Sequence, residues 1–370
     1  MPLLCVVVHC GVVELAPGSF LIPEKSYTGL ISYCDRWPGE VLYLTTPGEG
    51  GGHNLGLVEA RAADIPFQIK VSNDLATDAA SLNPDVTLLP LDVRLRDVQR
   101  AVARSVLTVE HSAASRCRLA AVGASRRERI RIWRGWAGME ARFVQMLKAA
   151  DGAQFNGWPS YLAYGPKVRN PLLFFDTRLK SCAIPADTRP RKAGPVRLAF
   201  SGRFIPIKGA VDAAQVATRV WEAGLLERFE VFGAGPQEPE MRDSAPPGTV
   251  FRGSVPFEGE WVRDVRDGVD LMVLPHKQDD PAGTYLEAAG LGVPVVGYDN
   301  RALRELVSRE GLGWTALLGD IDALAALIID LANDPEATRS AAGAGIRFMR
   351  QHHFDAEFER RVEHLVSVLK

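Results

Sequence analysis

The chain has 370 residues, of which 46% are hydrophobic and 24% are charged, and its formal net charge is −2. This length predicts two or three domains with substantial cores, and the near balance of charge argues against a dedicated nucleic-acid binder, which carries a strong basic excess. No apolar run approaches the roughly 20 residues that a membrane-spanning helix needs. The five cysteines have neither a paired framework nor metal-ligand spacing, which favours a reduced, cytoplasmic compartment.

The first half of the chain alternates short apolar runs with stretches of helical periodicity. It opens on LLCVVVHCG, which lacks the basic region of a signal peptide and predicts a buried first strand. Further strands are predicted at EVLYLTTP, DVTLLPLD, SVLTVEHS and AQFNGW, and helices in KSYTGLISYCDRW and ARFVQMLKAAD. This alternation predicts a mostly parallel, doubly wound sheet. The Gly-rich loop Pro47–Gly56 lacks the P-loop lysine and the G-x-G-x-x-G form, and we interpret it as a surface loop or a mobile loop at an active site.

A basic, aromatic segment runs from Arg116 to Trp136. Its sequence, RCRLAAVGASRRERIRIWRGW, sets seven arginines against one glutamate and interleaves Ile130, Trp133 and Trp136. Such a helix can dock on an anionic membrane surface or hold a phosphate-bearing acceptor. It can equally be a solvated face whose aromatic side chains pack inward. We do not expect it to bind nucleic acid, because nothing else in the chain is basic.

The polar segment Pro185–Pro195 contains three prolines, a composition typical of an interdomain linker. After it, strands are predicted at VRLAFSG, FEVFGAGP, TVFRGSV, LMVLP and VPVVGYD, with GWTALLGD and the helix 321–332 following. The tail FDAEFERRVEHLVSVLK predicts an amphipathic helix. We therefore predict an N-terminal domain over 1–188, a C-terminal domain over 194–350 and a final helix over 351–370.

Two stretches of the second half suit a phosphorylated ligand. In SGRFIPIKG, Gly202 allows a tight turn while Arg203 and Lys208 flank a helix start, and two cations beside a helix N-terminus can stabilise a departing diphosphate. In QDDPAGTYLEAAGLGVPVVGYDN, Asp279 precedes a predicted helix start and Glu287 lies inside the helix. Unpaired N–H groups and the positive end of a helix dipole suit an anionic or hydroxyl-rich ligand.

These motifs resemble those of the family-4 retaining glycosyltransferases, and the resemblance covers nearly the whole second half of the chain. It implies an α/β protein of GT-B fold, in which two Rossmann-like, doubly wound domains face a central cleft and the C-terminal helix crosses back to the N-terminal domain. The first half resembles the family only weakly, as acceptor-binding domains usually do. In the family, glutamate is commoner at the position of Asp279.

The resemblance implies roles for individual residues. Arg203 and Lys208 would clamp the donor diphosphate, Asp279 would hold a sugar hydroxyl, and Glu287 would accept hydrogen bonds from the ribose hydroxyls. The turns at Gly202 and Gly233 would approach the nucleotide, Arg252 and Val255 would border the base, and the backbone of Ala282, Gly283, Thr284 and Tyr285 would face the phosphate and sugar. From its position at a predicted strand end, His111 is a candidate contact to the donor sugar or proton acceptor near the acceptor; a purely structural role is the alternative.

The implied reaction transfers a sugar from a nucleotide-diphosphate donor, a UDP-sugar, to an acceptor hydroxyl with retention of configuration and with neither metal nor other cofactor. The acceptor would be a saccharide, an aglycone or a lipid-linked molecule. The enzyme would be cytoplasmic, and peripheral at the inner membrane face if Arg116–Trp136 docks there. Competing hypotheses are another GT-B enzyme, such as a nucleotide-sugar epimerase or a sugar phosphorylase, and a nucleotide-sugar-binding protein without activity. A dinucleotide oxidoreductase is disfavoured because no Gly fingerprint follows the first strand.

Overall fold

Two parallel sheets, one in each half of the chain, organise the fold. The computed structural model of the protein describes residues 1–48, 56–278 and 281–370, without the side chains of residues 9 and 10. Two sequence-based predictions fall outside these ranges: most of the Gly-rich loop 47–56, and Asp279. In the described ranges, no helix is both long and apolar enough to span a bilayer.

The N-terminal sheet has nine strands in the described part of the chain. They are β1 (Leu3–Ala16), β2 (Ser19–Pro23), β3 (Glu40–Pro47), β4 (Leu57–Arg61), β5 (Gln68–Val71), β6 (Val86–Pro90), β7 (Ser105–Val109), β8 (Gly152–Asn156) and β9 (Pro171–Phe174). The strands β5-β3-β1-β6-β7-β8-β9 pair in parallel. This confirms the predicted parallel sheet and its five predicted strands.

An antiparallel ribbon, which the sequence analysis missed, extends from β1. The strand continues past the predicted segment to Ala16, turns back into β2, and β2 in turn pairs antiparallel with β4. The signal for it is the dipeptide Pro17-Gly18 between two apolar runs, because Pro-Gly marks a tight turn between strands.

Six helices accompany the N-terminal sheet in the described ranges. They are α1 (Glu24–Cys34), α2 (Leu75–Leu82), α3 (Arg96–Ala101), α4 (Ala113–Ala120), α5 (Arg126–Ala149) and α6 (Trp158–Tyr164). Successive strand residues point to opposite faces of a sheet, so Cys5 and Val7 pack with the end of α5, whereas Leu4 and Val6 pack with α1. Helices thus cover both faces, as a doubly wound sheet requires.

The C-terminal sheet has six parallel strands in the order β12-β11-β10-β13-β14-β15, counted over the described residues. They are β10 (Val196–Ser201), β11 (Leu226–Phe232), β12 (Val250–Gly253), β13 (Leu271–Leu274), β14 (Val295–Tyr298) and β15 (Gly313–Ala316). The helices are α7 (Ala210–Glu222), α8 (Glu238–Ser244), α9 (Val262–Gly268), α10 (Gly283–Gly290), α11 (Arg301–Glu310), α12 (Ile321–Asn333), α13 (Pro335–Gln351) and α14 (Phe354–Ser367). The strands β10, β13 and β14 are almost wholly buried, which explains their continuous apolar sequences.

The last helix, α14, returns to the N-terminal domain. The ring of Phe358 lies 5.3 Å from that of Tyr33 on α1. Gln154 of β8 donates through Nε2 to the carbonyl oxygen of Arg361 at 2.9 Å. The predicted crossing of the C-terminal helix is therefore confirmed.

A buried carboxylate fastens the segment between the sheets to the C-terminal domain. Asp270, just before β13, accepts from Arg189 Nη2 at 2.6 Å and from Arg197 Nη2 at 3.0 Å. Its side chain is 5% exposed. Its other oxygen accepts from the backbone N–H of Arg197 at 2.9 Å. This one side chain therefore ties the linker to the start of β10.

Replacing Asp270 by alanine is expected to destabilise the C-terminal domain by about 3 kcal/mol, because it leaves two partly buried guanidinium groups without their carboxylate. Urea unfolding followed by circular dichroism measures the effect. Asp267→Ala is the matched control, because the Asp267 side chain is 58% exposed and exposed ion pairs contribute at most about 1 kcal/mol. Equal destabilisation by the two variants would contradict a special role for Asp270.

Candidate active site

The candidate site lies where the strands of the C-terminal sheet end at their carboxyl side. Gly202 donates its N–H to the carbonyl oxygen of Phe232 at 3.0 Å, and Gly233 donates to that of Gly253 at 2.7 Å. Gly233 has φ +120, and a Cβ atom there would lie 2.0 Å from the carbonyl oxygen of Gly202. Only glycine therefore allows these two turns to meet. The predicted nucleotide-approaching turns are adjacent in the structure.

Lys208 and Arg203 differ in their surroundings. Arg203 is exposed on the turn after β10, whereas Lys208 is 9% exposed and sits in a 3₁₀ turn just before α7. Lys277, which follows β13, donates its N–H to the carbonyl oxygen of Ile207 at 2.9 Å. Burial, together with the nearby charge of Lys208, holds the pKa of His276 well below its usual value. Lys208 thus lies where the two predicted motifs meet.

The segment from Ala282 to Tyr285 begins α10 as predicted. Ala282 is the N-cap residue, and among the described residues no side chain caps this helix start, so N–H groups of the first turn can serve a ligand. Tyr285 contributes differently: its N–H donates to the carbonyl oxygen of Ala282 at 3.0 Å, and its hydroxyl accepts from Asn300 Nδ2 at 3.0 Å. The Tyr285 side chain therefore supports the turn from inside, and Gly283 and Thr284 form its half-buried surface.

Glu287, the predicted ribose acceptor, already has a partner that the sequence analysis missed. Arg178, in the segment after β9, donates through Nε to Glu287 Oε1 at 3.0 Å and through Nη2 to Oε2 at 3.3 Å. Its guanidinium carbon also lies 3.9 Å from the ring centroid of Phe257. Glu287 is 3% exposed, so the two-point ion pair satisfies a buried carboxylate. No motif marks Arg178, and no sequence signal could have found it.

The two residues predicted to border the base, Arg252 and Val255, have different surroundings in the structure. Arg252 pairs through Nε with Glu230 Oε2 at 3.4 Å and through Nη2 with Asp264 Oδ2 at 3.6 Å, so two carboxylates hold its side chain. Val255, in contrast, lines a cavity between the domains. Beyond it the rings of Phe257 and Trp261 stack at 5.2 Å, and Trp261 Nε1 donates to Ser201 Oγ at 3.0 Å. These aromatic residues connect the Glu287 pair to the end of β10.

The cavity between the domains has a volume of about 880 Å³. Residues 6–8 of β1, the carboxyl ends of β6, β7 and β9, and the helix α1 form its N-terminal side, and residues 254–258 form part of its C-terminal side. Lys25 and Asp176 form an ion pair in its lining. Glu110 also lines it, whereas the neighbouring His111 is half-buried between β7 and α4, outside the lining. The cavity therefore joins the predicted donor side to the N-terminal domain.

The described residues include no cluster of three or more His, Cys, Asp or Glu side chains placed to hold a metal ion. Three cationic side chains belong to or contact the predicted donor segments: Arg203 and Lys208 of the turn after β10, and Arg178, which pairs with Glu287.

Two Rossmann-like domains that face a cleft, with the last helix returning to the first domain, define the GT-B fold. Residues 195–334 match the family model described as "Glycosyl transferases group 1". This match agrees with the general class that the motifs in the second half of the chain indicated.

Curated relatives match over part of the chain. The chain is 30% identical over 180 residues to 2-deoxystreptamine N-acetyl-D-glucosaminyltransferase of Streptomyces fradiae, covering 46% of this chain and 42% of that protein. It is 29% identical over 161 residues to 2-deoxystreptamine glucosyltransferase of Streptomyces kanamyceticus, covering 42% of this chain and 41% of that protein. A glycogen synthase of Mycobacterium tuberculosis is 30% identical over 168 residues. These alignments span about two fifths of each relative.

Solved structures resemble the chain over nearly its whole length. The Anabaena protein HepE in complex with UDP and glucose superimposes with a TM-score of 0.64 at 14% identity, covering 99% of this chain and 100% of that one. Sucrose-phosphate synthase from Thermosynechococcus elongatus gives a TM-score of 0.65 at 14% identity, covering 100% and 99%. The lipopolysaccharide outer core galactosyltransferase WaaB gives 0.66 at 12% identity, covering 99% of each chain. At these identities the similarity establishes the fold.

Proposed function

We propose that the protein is a retaining glycosyltransferase that transfers a sugar from a UDP-sugar to an acceptor hydroxyl without a metal ion. The observation that carries the proposal is the hydrogen bond from the Lys277 N–H to the carbonyl oxygen of Ile207, which joins the Lys208 turn to the segment after β13. Among the described residues no side chain caps the helix start that follows, and Glu287 lies inside that helix. The matched family and the relatives named as glycosyltransferases support it. The complexes of HepE with UDP and with UDP-glucose support the choice of nucleotide.

The chain's own residues would carry the donor half of the reaction. The bond between the anomeric carbon and the diphosphate oxygen breaks, and its electron pair stays with the departing diphosphate. Lys208, Arg203 and the N–H groups at the start of α10 stabilise that charge, which is the role of preorganised donors in a site of this kind. These groups supply the positive charge that a metal ion provides in other transferases, and this is why we propose metal-independent transfer.

The acceptor half would take place at the N-terminal side of the cleft. The acceptor hydroxyl attacks the anomeric carbon from the face that the diphosphate leaves, and its proton passes to a phosphate oxygen of the leaving group. The new glycosidic bond therefore has the configuration of the old one. Asp279 would hold a hydroxyl of the donor sugar, and His111, which follows Glu110 of the cavity lining, would contact the sugar or the acceptor.

A calorimetric titration tests the donor site directly. We expect saturable binding of UDP in the presence of EDTA and weaker binding of GDP, ADP and dTDP. Binding of NAD alone, or of none of these ligands, would refute the proposal. Turnover of the matching nucleotide sugar, followed by nuclear magnetic resonance of the anomeric proton, then separates transfer from epimerisation, because an epimerase changes the sugar without any acceptor.

A further inference from the structure

The first half of α5 projects into solvent as an amphipathic helix. Ile130 is 48% exposed, Trp133 43% and Trp136 38%, and the remaining residues from 126 to 138 are exposed as well, except Ile132. The second half of α5 is partly buried, and its residues Phe143, Met146 and Leu147 belong to the N-terminal core. The tryptophans therefore do not pack inward, and this excludes the solvated-face alternative that the sequence left open.

The exposed half combines an apolar face with flanking positive charge. Ile130, Trp133 and Trp136 follow one another at three-residue spacing, so they share a face of the helix. Arg126 lies on this face, and Arg127 and Arg134 lie to one side of it, about 100–120° around the helix from Trp133. Within the described ranges none of the three forms an ion pair. The single acidic residue, Glu128, is held by Ser125 in a capping box. We call residues 126–136 the α5 basic face.

The exposed α5 basic face is shorter than the predicted basic segment Arg116–Trp136. Arg116 donates through Nη2 to the carbonyl oxygen of Leu91 at 2.8 Å and lies 5.1 Å from the ring centroid of Phe143. It also pairs with Asp92, Nη1 to Oδ2, at 3.6 Å. Arg116 is therefore part of the packing between α4 and the core, and the exposed charge begins at Arg126.

The connectivity places the α5 basic face near the cleft. The helix α5 leads into β8, which begins at the amino edge of the sheet, and its final turns are the ones that pack on the sheet. In a parallel sheet the crossover helix runs back against its strands. Its first half therefore lies towards the carboxyl edge, where the cavity is. At 1.5 Å per residue, the exposed segment is about 20 Å long.

We propose that the α5 basic face docks the protein on an anionic lipid bilayer. Tryptophan favours the boundary between headgroups and acyl chains, and arginine is attracted to anionic headgroups. A protein partner on this face would have to place acidic groups opposite the arginines, and association of two copies of the chain is a separate outcome of the test. If the proposed transferase function is correct, docking brings the mouth of the cleft to the membrane surface, and the acceptor is then a lipid-linked molecule.

Vesicle flotation tests the docking without any assay of transfer. The protein should float with vesicles made of phosphatidylcholine and phosphatidylglycerol in equal parts and should remain behind with phosphatidylcholine alone. The triple variant Arg126→Gln, Arg127→Gln, Arg134→Gln should lower the partition coefficient about 100-fold. The double variant Trp133→Ser, Trp136→Ser should lower it at least about tenfold. High salt should weaken binding of the wild type.

Trp221→Ser is the matched control, since Trp221 is 46% exposed on α7 of the other domain, and its partition should match that of the wild type. UDP titration of each variant separates the docking proposal from the proposed transferase function. A variant that loses vesicle binding but still binds UDP is defective in docking alone. Equal flotation of wild type and α5 variants would overturn the inference. So would a wild-type dimer in sedimentation velocity that the tryptophan variant abolishes, since the face would then join two copies of the chain.

Discussion

Replacing Lys208 by alanine is expected to lower kcat about 1,000-fold in the proposed transfer reaction and to weaken UDP binding. Lys208 is 9% exposed, and in so enclosed a position a cation aimed at developing negative charge is worth far more than one in water. Loss of one such preorganised group typically costs about 100- to 1,000-fold in kcat. Initial rates with saturating donor measure the effect, and a UDP titration measures the loss of affinity.

Lys277→Ala is the matched control for this variant. Lys277 belongs to the loop that contacts the Lys208 turn, but its ammonium pairs with Asp212 Oδ1 at 2.8 Å. We expect its removal to change kcat by less than about tenfold, because an ion pair of this exposure contributes about 1 kcal/mol. If the two lysine variants lose activity equally, the effect belongs to the fold of the loop and Lys208 has no special part in leaving-group stabilisation.

Replacing Arg178 by alanine is expected to have two effects of opposite sign. The variant should be less stable by about 1–3 kcal/mol, because Glu287 loses a charged hydrogen-bonding partner. The Arg178 side chain is 45% exposed, and solvent screening therefore favours the lower end of this range. The same variant should bind UDP about tenfold more tightly, because the Arg178 side chain no longer competes for the two Glu287 oxygens, and only its backbone N–H, 3.4 Å from Oε1, remains as a partner. Thermal unfolding and calorimetry measure the two quantities on one preparation.

The combination distinguishes competition from a merely structural role. A structural arginine would lower stability and leave affinity unchanged or reduced. Unchanged or weaker UDP binding by Arg178→Ala would contradict competition between Arg178 and the nucleotide for Glu287. Lys180→Ala provides a control within the same segment, since Lys180 pairs with the exposed Glu258 at 2.8 Å, Nζ to Oε1, and its removal should alter UDP affinity little.

Local sequence was sufficient for much of the C-terminal domain. The strands β10, β13 and β14 are short and buried on both faces, so each reads as an unbroken apolar run between turn residues. The turn that presents Arg203 and Lys208 lies within nine residues, Ser201 to Gly209, and its glycines and cations are visible without knowledge of the fold. The roles assigned to these residues came from the family resemblance and stay predictions until the variants are measured.

The remainder of the site depends on residues far apart in the chain. Arg178 and Glu287 are 109 residues apart, and nothing in the sequence around Arg178 indicates that the two domains bring them together. Arg252 is the opposite example. The family resemblance pointed to it, but in the structure its side chain pairs with Glu230 and Asp264, which come from other elements. Ion pairs of this kind follow from the packing of strands and helices, and local periodicity does not contain that information.

The sequence by itself determined the alternation of strands and helices, the two parallel sheets and the position of the diphosphate motif, because each depends on neighbouring residues. It also determined that Arg116–Trp136 is basic and aromatic, but it left open whether the tryptophans point inward or outward. Only the tertiary structure decided this, because α5 reaches the sheet with its second half alone. The same helical pattern is core where a sheet lies beneath it and exposed surface where the helix extends beyond that sheet.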